Sequence, residues 1–236
     1  MVGSKVLHYN ILEKLPGAPS ARAGGDVYLA EDSRMRRRVL LEFLDGDAWR
    51  DEALRERVSF EVRTASMLSH PNIAAVYGLE EAGGRAFVVT EHVRGESLRA
   101  LLERGPIDTD RAIDVALQIL SALSGAHETG VVHRSLSPDR VVVTASGRVK
   151  VVDFAPARPA DARYAAPERR GGTRADHRCD LFSFGVVLVE MLGAGFPAGL
   201  RAIVDRALEK DPERRYQSAH EIDLDLARFQ AGLFNR

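Results

Sequence analysis

Apolar and polar residues fall in short alternating runs over roughly the first ninety positions, then change to longer stripes at helical spacing. Val27 to Ala30, Val39 to Leu44, Ala74 to Leu79 and Phe87 to Glu91 are β-branched or aromatic runs separated by Gly, Asp and Arg clusters, and they predict strands. Between the second and third of these, Asp51 to Ser69 places Leu54, Val58, Ala65 and Leu68 on one helical face. The gap in that stripe falls at Glu61, which sets a carboxylate on the buried side of an amphipathic helix, where it needs a partner.

From Glu96 onward the pattern is helical. Asp108 or Thr109 can cap a helix with Ile113, Leu117, Leu120, Ser124 and His127 on its inner face and Gly130 at its end. Asp180 to Leu192 is nearly all apolar and predicts a buried central helix. Leu200 to Leu208 reads as a penultimate helix, and Ser218 to Glu221 has capping-box spacing ahead of Ile222, Leu226 and Phe229. No internal repeat or low-complexity tract interrupts this order.

Composition changes the picture mainly by exclusion. The 236 residues are 45% hydrophobic and 28% charged, and 33 Lys and Arg stand against 34 Asp and Glu. That balance provides no field of one sign to attract nucleic acid or an anionic membrane, so neither is an expected partner. Four of the cations are lysines (Lys5, Lys14, Lys150 and Lys210) and the rest are arginines. The single cysteine, Cys179, excludes an internal disulfide and any multi-cysteine metal site. The longest apolar run, Phe184 to Val189, is broken by Glu190 and is far short of a bilayer span of about 20 residues. No charged-then-apolar signal pattern opens the sequence, and the expectation is a soluble cytoplasmic protein.

Several short motifs then occur in one order. His70-Pro71-Asn72-Ile73 follows the helix bearing Glu61; Val88-Val89-Thr90-Glu91-His92-Val93 and Gly95-Glu96-Ser97-Leu98 come next. His133-Arg134-Ser135-Leu136-Ser137-Pro138, Asp153-Phe154-Ala155, Ala166-Pro167-Glu168, Asp180-Leu181-Phe182-Ser183-Phe184-Gly185 and Asp211-Pro212-Glu213-Arg214-Arg215 complete the series. Together they resemble the eukaryotic-like (Hanks-type) serine/threonine protein kinases, particularly bacterial ones. The resemblance implies an α+β, two-lobed fold: an N-lobe of antiparallel sheet plus one helix over 1–91, a hinge over 92–94, and a mainly helical C-lobe over 95–236.

The chemistry departs from that family. Phosphoryl transfer relies on a lysine on the phosphates, an acid holding it, magnesium ligands, and an aspartate for the substrate hydroxyl. The V-A-x-K strand pattern reads Val39-Leu40-Leu41-Glu42, so the lysine position holds an acid and Leu40 stands where a small residue lies against adenine. The alternative is that Glu42 is a solvated strand residue after a register change. The glycine-rich loop is replaced by Leu15 to Val27, with two prolines lacking N–H groups and with Gly24 and Gly25 at its end, which suits a plain hairpin better than a phosphate cradle. In H-R-D-L-K-P-x-N the catalytic aspartate is Ser135, the lysine is Ser137 and the metal-binding asparagine is Arg140. The degenerate nucleotide cleft would comprise Gly24, Gly25, Val27, Leu40, Glu61, Thr90, Glu91, Val93, Val142 and Asp153. Asp153 is the remaining candidate metal ligand, or simply a turn-forming Asp.

What the resemblance retains is architectural. His133 and Phe154 would join a packed column, Asp180 would hold the catalytic-loop backbone, and Glu168 would pair with Arg215. Arg140 is expected to turn inward onto Asp153, or onto Glu42 or Glu61, unless it is an ordinary surface arginine. Asp153 to Glu168 is a short activation segment whose one hydroxyl side chain is Tyr164, and Gly193 to Gly199 leaves no room for the substrate-docking αG helix. The sequence thus reads as a pseudokinase: no enzyme, but a regulatory or scaffolding module for another protein, with no cofactor expected. The alternative is an atypical ATP-dependent transferase or weak serine/threonine kinase with Asp153 on magnesium.

Overall fold

A computed structural model describes residues 1–15, 25–46, 48–154, 161–170 and 176–232, with the side chains of Ala48 and Arg170 outside the description. The described chain forms two units: Met1–Ser69 with Ile73–Val93, and His70–Asn72 with Arg94–Phe154 and the described residues from 161 onward.

The first unit is a six-stranded antiparallel sheet with one α-helix. Strands β1 (Lys5–Val6), β2 (Tyr9–Lys14), β3 (Val27–Asp32), β4 (Arg37–Phe43), β5 (Val76–Ala82) and β6 (Arg85–Glu91) lie in the order β1-β2-β3-β4-β6-β5. β1 and β2 went unanticipated, although Tyr9 and Ile11 do alternate with polar neighbours and are buried. On one face of the sheet Tyr9, Ile11, Tyr28, Ala30, Val39, Leu41, Phe43, Phe87 and Val89 form a continuous core. Because side chains alternate across a strand, that arrangement directs Leu40 and Glu42 of β4 to the opposite face. Helix α1 (Glu52–Ser66) starts where Asp51 accepts the N–H groups of Ala53 (2.9 Å) and Leu54 (3.2 Å). It buries Val58, Val62 and Ala65 and leaves Glu61 half-buried on that side.

The second unit is mainly helical, with a small sheet of β7 (Glu96–Ser97), β8 (Val141–Val143) and β9 (Val149–Val151). Its helices are α2 (Leu98–Leu102), α3 (Thr109–Glu128), α4 (Pro167–Arg170), α5 (Arg178–Leu192), α6 (Ala198–Ala207) and α7 (Ala219–Gln230). Asp108 caps α3 and Gly130, at φ 77°, follows its end. The inner face of α3 differs from the expected stripe. Ala112, Ala116, Ile119, Leu123 and Ala126 are buried beside Ile113 and Leu120, whereas Leu117, Ser124 and His127 are only half-buried. The cause is that α3 packs against α5, α7 and β9 together, so its covered arc is wide and rotated toward the small residues. Ser218 caps α7 by accepting Glu221 N–H at 3.2 Å, and Glu221 returns a bond to Gln217 N–H rather than to Ser218.

Helix α5 is the centre of this unit, and its apolar length is explained by cover on all sides. A Cβ on Gly185 would stand 3.0 Å from the side chains of Ala207 and Leu208, so α6 is seated on glycine. Five residues, Gly193 to Pro197, join α5 to α6 without a helix.

Candidate functional site

In the first unit, Glu42 sits at the position of the family lysine and is 1% exposed. It is paired in register with Val27 on one side and Val88 on the other, and Thr90 Oγ1 donates to its Oε1 at 3.3 Å. That burial removes the alternative of a solvated strand residue. An acid held there replaces the cation that a phosphate group requires. Leu40 is half-buried on the same strand face, Thr90 is 7% exposed and Val27 is 2% exposed. Gly25, Glu61 and Val93 are half-buried. Glu91 is half-buried too, accepting Ala75 N–H at 3.0 Å with its side chain while its backbone N–H bonds Ala75 O at 2.8 Å. Gly24 lies outside the described residues, as do Pro16 to Ala23 and Ala155.

In the second unit, the loop from Val131 to Pro138 is fixed from beneath by α5. Asp180, wholly buried, accepts the backbone N–H of His133 at 2.8 Å and of Arg134 at 2.7 Å, and Nε2 of His127 lies 2.9 Å from it. Burial alone would raise its carboxyl, but the His127 contact, the nearby His133 and the His133 N–H together hold it below the ordinary carboxylate range. The backbone at Arg134 is left-handed, φ 64°, a conformation such bonding can stabilise. His133 is itself fully buried, and burial holds its imidazole below the ordinary histidine value. Its Nδ1 accepts Ser135 N–H at 3.3 Å, so its proton resides on Nε2, 2.9 Å from Val152 O. Its ring meets Phe154 edge-on at 4.7 Å.

Ser135 and Ser137 are 2% and 3% exposed. The Ser135 hydroxyl makes only long contacts, 3.4 Å to His133 Nδ1 and 3.4 Å to His133 O. It has neither the charge nor the basicity to take a proton as an aspartate would. The 3-10 turn Pro138–Arg140 then carries Arg140 inward to 7% exposure. Its Nε stands 3.5 Å from Asp153 Oδ2, each side chain being 8% exposed, and its Nη1 donates to Ser135 O. Asp153, at φ 66°, belongs to the turn after β9, and Val152 N–H bonds Arg140 O at 3.0 Å. The expected Arg140 to Asp153 pairing is therefore present, but it is not the two-bonded fork expected: the guanidinium divides itself between Asp153 and the carbonyl at the former catalytic position. Val142 on β8 is half-buried and paired with Ser97.

These residues do not fit magnesium. A dication at Asp153 would meet the guanidinium of Arg140 where a neutral amide should be its second ligand.

Glu168 and Arg215 form a two-bonded pair, 2.9 and 3.2 Å, with the Arg215 side chain wholly buried. Arg215 also donates to the carbonyls of Glu209 and Arg178. One cluster escaped sequence reasoning. Tyr164, 2% exposed, donates to Glu190 and accepts from Arg99, while Arg99 pairs with Glu190 and lies 3.5 Å from Asp139. Burial and then the Glu190 bond push the Tyr164 phenol up to about 12. Tyr164 was visible as the one hydroxyl of its segment; Arg99 was hidden among many arginines.

The protein kinase domain family matches residues 23–224. This chain belongs to the protein kinase family. Among its relatives, serine/threonine-protein kinase PknB of Mycobacterium tuberculosis is 34% identical over 256 residues, covering 88% of this chain and 41% of that protein. A probable serine/threonine-protein kinase of Streptomyces coelicolor is 33% identical over 250 residues, covering 85% of this chain and 37% of that protein. The chain thus spans about two-fifths of the length of these relatives. The crystal structure of the M. tuberculosis PknI kinase domain superposes with a TM-score of 0.81 at 24% identity, covering 98% of this kinase domain and 99% of that one, which supports the fold. The Hanks-type bacterial resemblance and the two-lobed α+β fold hold. The reading of the chain as no enzyme is corrected: its relatives are named serine/threonine kinases, and that points to an enzyme. That reading took individual substitutions at the site as decisive for the whole chain, against the names its relatives carry. No helix among the described residues is long and apolar enough to cross a membrane.

Proposed function

We propose that this kinase-family domain works chiefly as a cytoplasmic regulatory module that binds another protein, with weak or no binding of magnesium-nucleotide. The observation that carries the reading is Arg140 set 3.5 Å from Asp153 at 8% exposure. A cation of the chain's own occupies the charge environment that a metal would use, and buried Glu42 opposes phosphate in the other unit. The frame that shapes a kinase domain is meanwhile kept: Asp180 under the His133 loop and Arg215 on Glu168. The lone cysteine, buried and with its thiol raised by burial, suits a reducing compartment.

Weak phosphoryl transfer is the second reading, and the names of the relatives favour it. It requires Arg140 to leave Asp153. Melting with magnesium-ATP separates the two. A site with a dissociation constant of about 10 μM would contribute roughly 2.7 kcal/mol at about 1 mM ligand, which is several degrees at this size. The first reading expects a shift below about 1 °C. A shift of several degrees, with phosphate transferred to the chain or to a generic basic protein, would establish the second instead.

A further inference from the structure

Helix α1 of the first unit carries a second stripe besides the one it buries. Ala53, Glu56, Phe60, Arg63 and Met67 follow one another at spacings of 3, 4, 3 and 4 residues, and all five are exposed. Met67 is the C-cap and keeps helical backbone, so the stripe runs the whole helix. This is the seam spacing of two helices packed along their length, where each seam residue inserts between residues of the facing helix. Phe60 and Met67 are the two most exposed large hydrophobic side chains among the described residues, 69% and 68%. Met or Phe exposed singly is ordinary on a protein surface. Two on one seam, with Val58, Val62 and Ala65 buried elsewhere on the helix, leave α1 with a second apolar line in water.

The stripe is complementary to itself when reversed. Glu56 lies four residues before Phe60 and Arg63 three residues after it. Neither pairs with another charge among the described residues. At a rise of about 1.5 Å per residue they stand about 6 Å and about 4.5 Å from Phe60 along the axis. Against a second α1 running antiparallel, with Phe60 facing Phe60, Glu56 of each copy comes level with Arg63 of the other to within about 1.5 Å, and Met67 comes level with Ala53. A parallel pair would set Glu56 on Glu56 and Arg63 on Arg63, so charge selects the antiparallel one. The rings also have a place to settle. Beside Phe60 lies a cavity of about 460 Å³ walled by Trp49 and Ser59, and the Trp49 indole N–H is fixed on Glu81 Oε1 at 3.1 Å.

We propose that the exposed face of α1 is the contact surface of a homodimer, two copies of this chain paired antiparallel across a two-fold axis at Phe60. One patch serves both copies, as a closed two-fold assembly requires, and the charges are satisfied by a surface that the chain itself supplies. The contact is small, one helix of 15 residues and about 22 Å from each copy, so the dimer is weak and follows concentration. The inference does not rest on the reading of the nucleotide positions.

Sedimentation velocity across the micromolar range is the test. The parent chain should pass from monomer to dimer as its concentration rises. Glu56→Arg and Arg63→Glu should each weaken association roughly tenfold or more, because in a two-fold contact one substitution turns both attractive pairs into repulsive ones. Mixed in equal amounts, the two variants should dimerise again, since one then offers only arginines and the other only glutamates. Phe60→Ser should abolish the dimer, and as all three changed residues are exposed, melting in dilute solution should stay close to that of the parent. A parent chain that is monomeric throughout the range would overturn the proposal. Dimers indifferent to both charge variants would do the same, and so would a mixture that stays monomeric although each variant alone is.

Discussion

The loop support around Asp180 and Arg215 and the positions around Arg140 and Glu42 come from one family pattern, yet physical chemistry treats them differently. In the first group a buried charge meets a complete set of partners of the family type: Asp180 has two backbone N–H groups and His127, and Arg215 has Glu168 and carbonyls. In the second group the residue types have changed, and the partners with them. Glu42 accepts from Thr90, and Arg140 turns from solvent onto Asp153 and Ser135 O. A buried ion must be paired wherever it lies, and both groups supply partners, although Arg140 Nε, 3.5 Å from Asp153, is left without a hydrogen bond. The difference is in what remains for a ligand. Local satisfaction preserves a fold; it preserves a phosphate and metal site only if the partners are left for the ligand to supply.

The comparison breaks most easily at Arg215. Arg215→Ala removes the two bonds to Glu168 and those to the carbonyls of Glu209 and Arg178, all made by a guanidinium that is wholly buried. Removing one partner of such a buried pair costs about 3–5 kcal/mol. Thermal melting should fall by on the order of 10 °C, at 2–4 °C per kcal/mol for a chain of this length. Melting unchanged within error would show that the pair does not support the unit.

A double-mutant cycle of Arg140→Met and Asp153→Asn sharpens the second half of the contrast. If the 3.5 Å contact is an energetic pairing, the two changes will not add, and the coupling should be about 1–2 kcal/mol, within the usual range for touching residues. Additive effects would make the contact geometric only.

Acid tests the loop support through His133. Burial lowers its folded-state value below 6.5, so above that pH both states hold it neutral and stability does not depend on it. As pH falls below 6.5 the unfolded chain takes up a proton that the folded chain refuses, and stability drops by at most about 1.4 kcal/mol per pH unit. His70, lowered by burial in the same unit, adds a slope of the same sign. His133→Asn should therefore reduce, not abolish, the fall in melting temperature between about pH 7 and about pH 5. An unchanged slope would mean that His133 is protonated in the folded state.

Much of this was legible because the signals were local. Asp51, Asp108 and Ser218 announce helix starts, and Gly130 an end, through bonds made within a few residues. Glu42 and Arg140 were visible as wrong residue types at fixed spacings. The inner face of α3 was misjudged because three neighbours cover it, a fact of packing that spacing on one helix does not contain. The Arg99, Tyr164 and Glu190 cluster joins residues 65 and 26 positions apart, and no periodicity links them. Strands β1 and β2 were missed because their alternation is too short to stand out beside the longer strands.

The smallest expected effect is at Ser135, and its smallness is informative. In the family pattern this position bears the aspartate that meets the substrate hydroxyl, so a chain using it for transfer should be sensitive there. Here the hydroxyl is 2% exposed and its contacts are long, 3.4 Å to His133 Nδ1 and to His133 O, while the firm bonds at this residue belong to the backbone: Ser135 N–H to His133 and Ser135 O from Arg140. Ser135→Ala deletes one weakly bonded hydroxyl and keeps both backbone bonds, so stability should change by less than about 1 kcal/mol. The same variant should leave partner binding untouched. Ser135→Asp adds a carboxylate at a 2% exposed residue whose backbone carbonyl shares the Arg140 guanidinium with Asp153; melting should fall more than in Ser135→Ala, because a further buried charge costs stability unless it is paired. If Ser135→Asp instead matched the parent chain in melting and bound magnesium-ATP, Arg140 would be shown to serve two carboxylates and still yield to magnesium, and Arg140 would not be what keeps the nucleotide out.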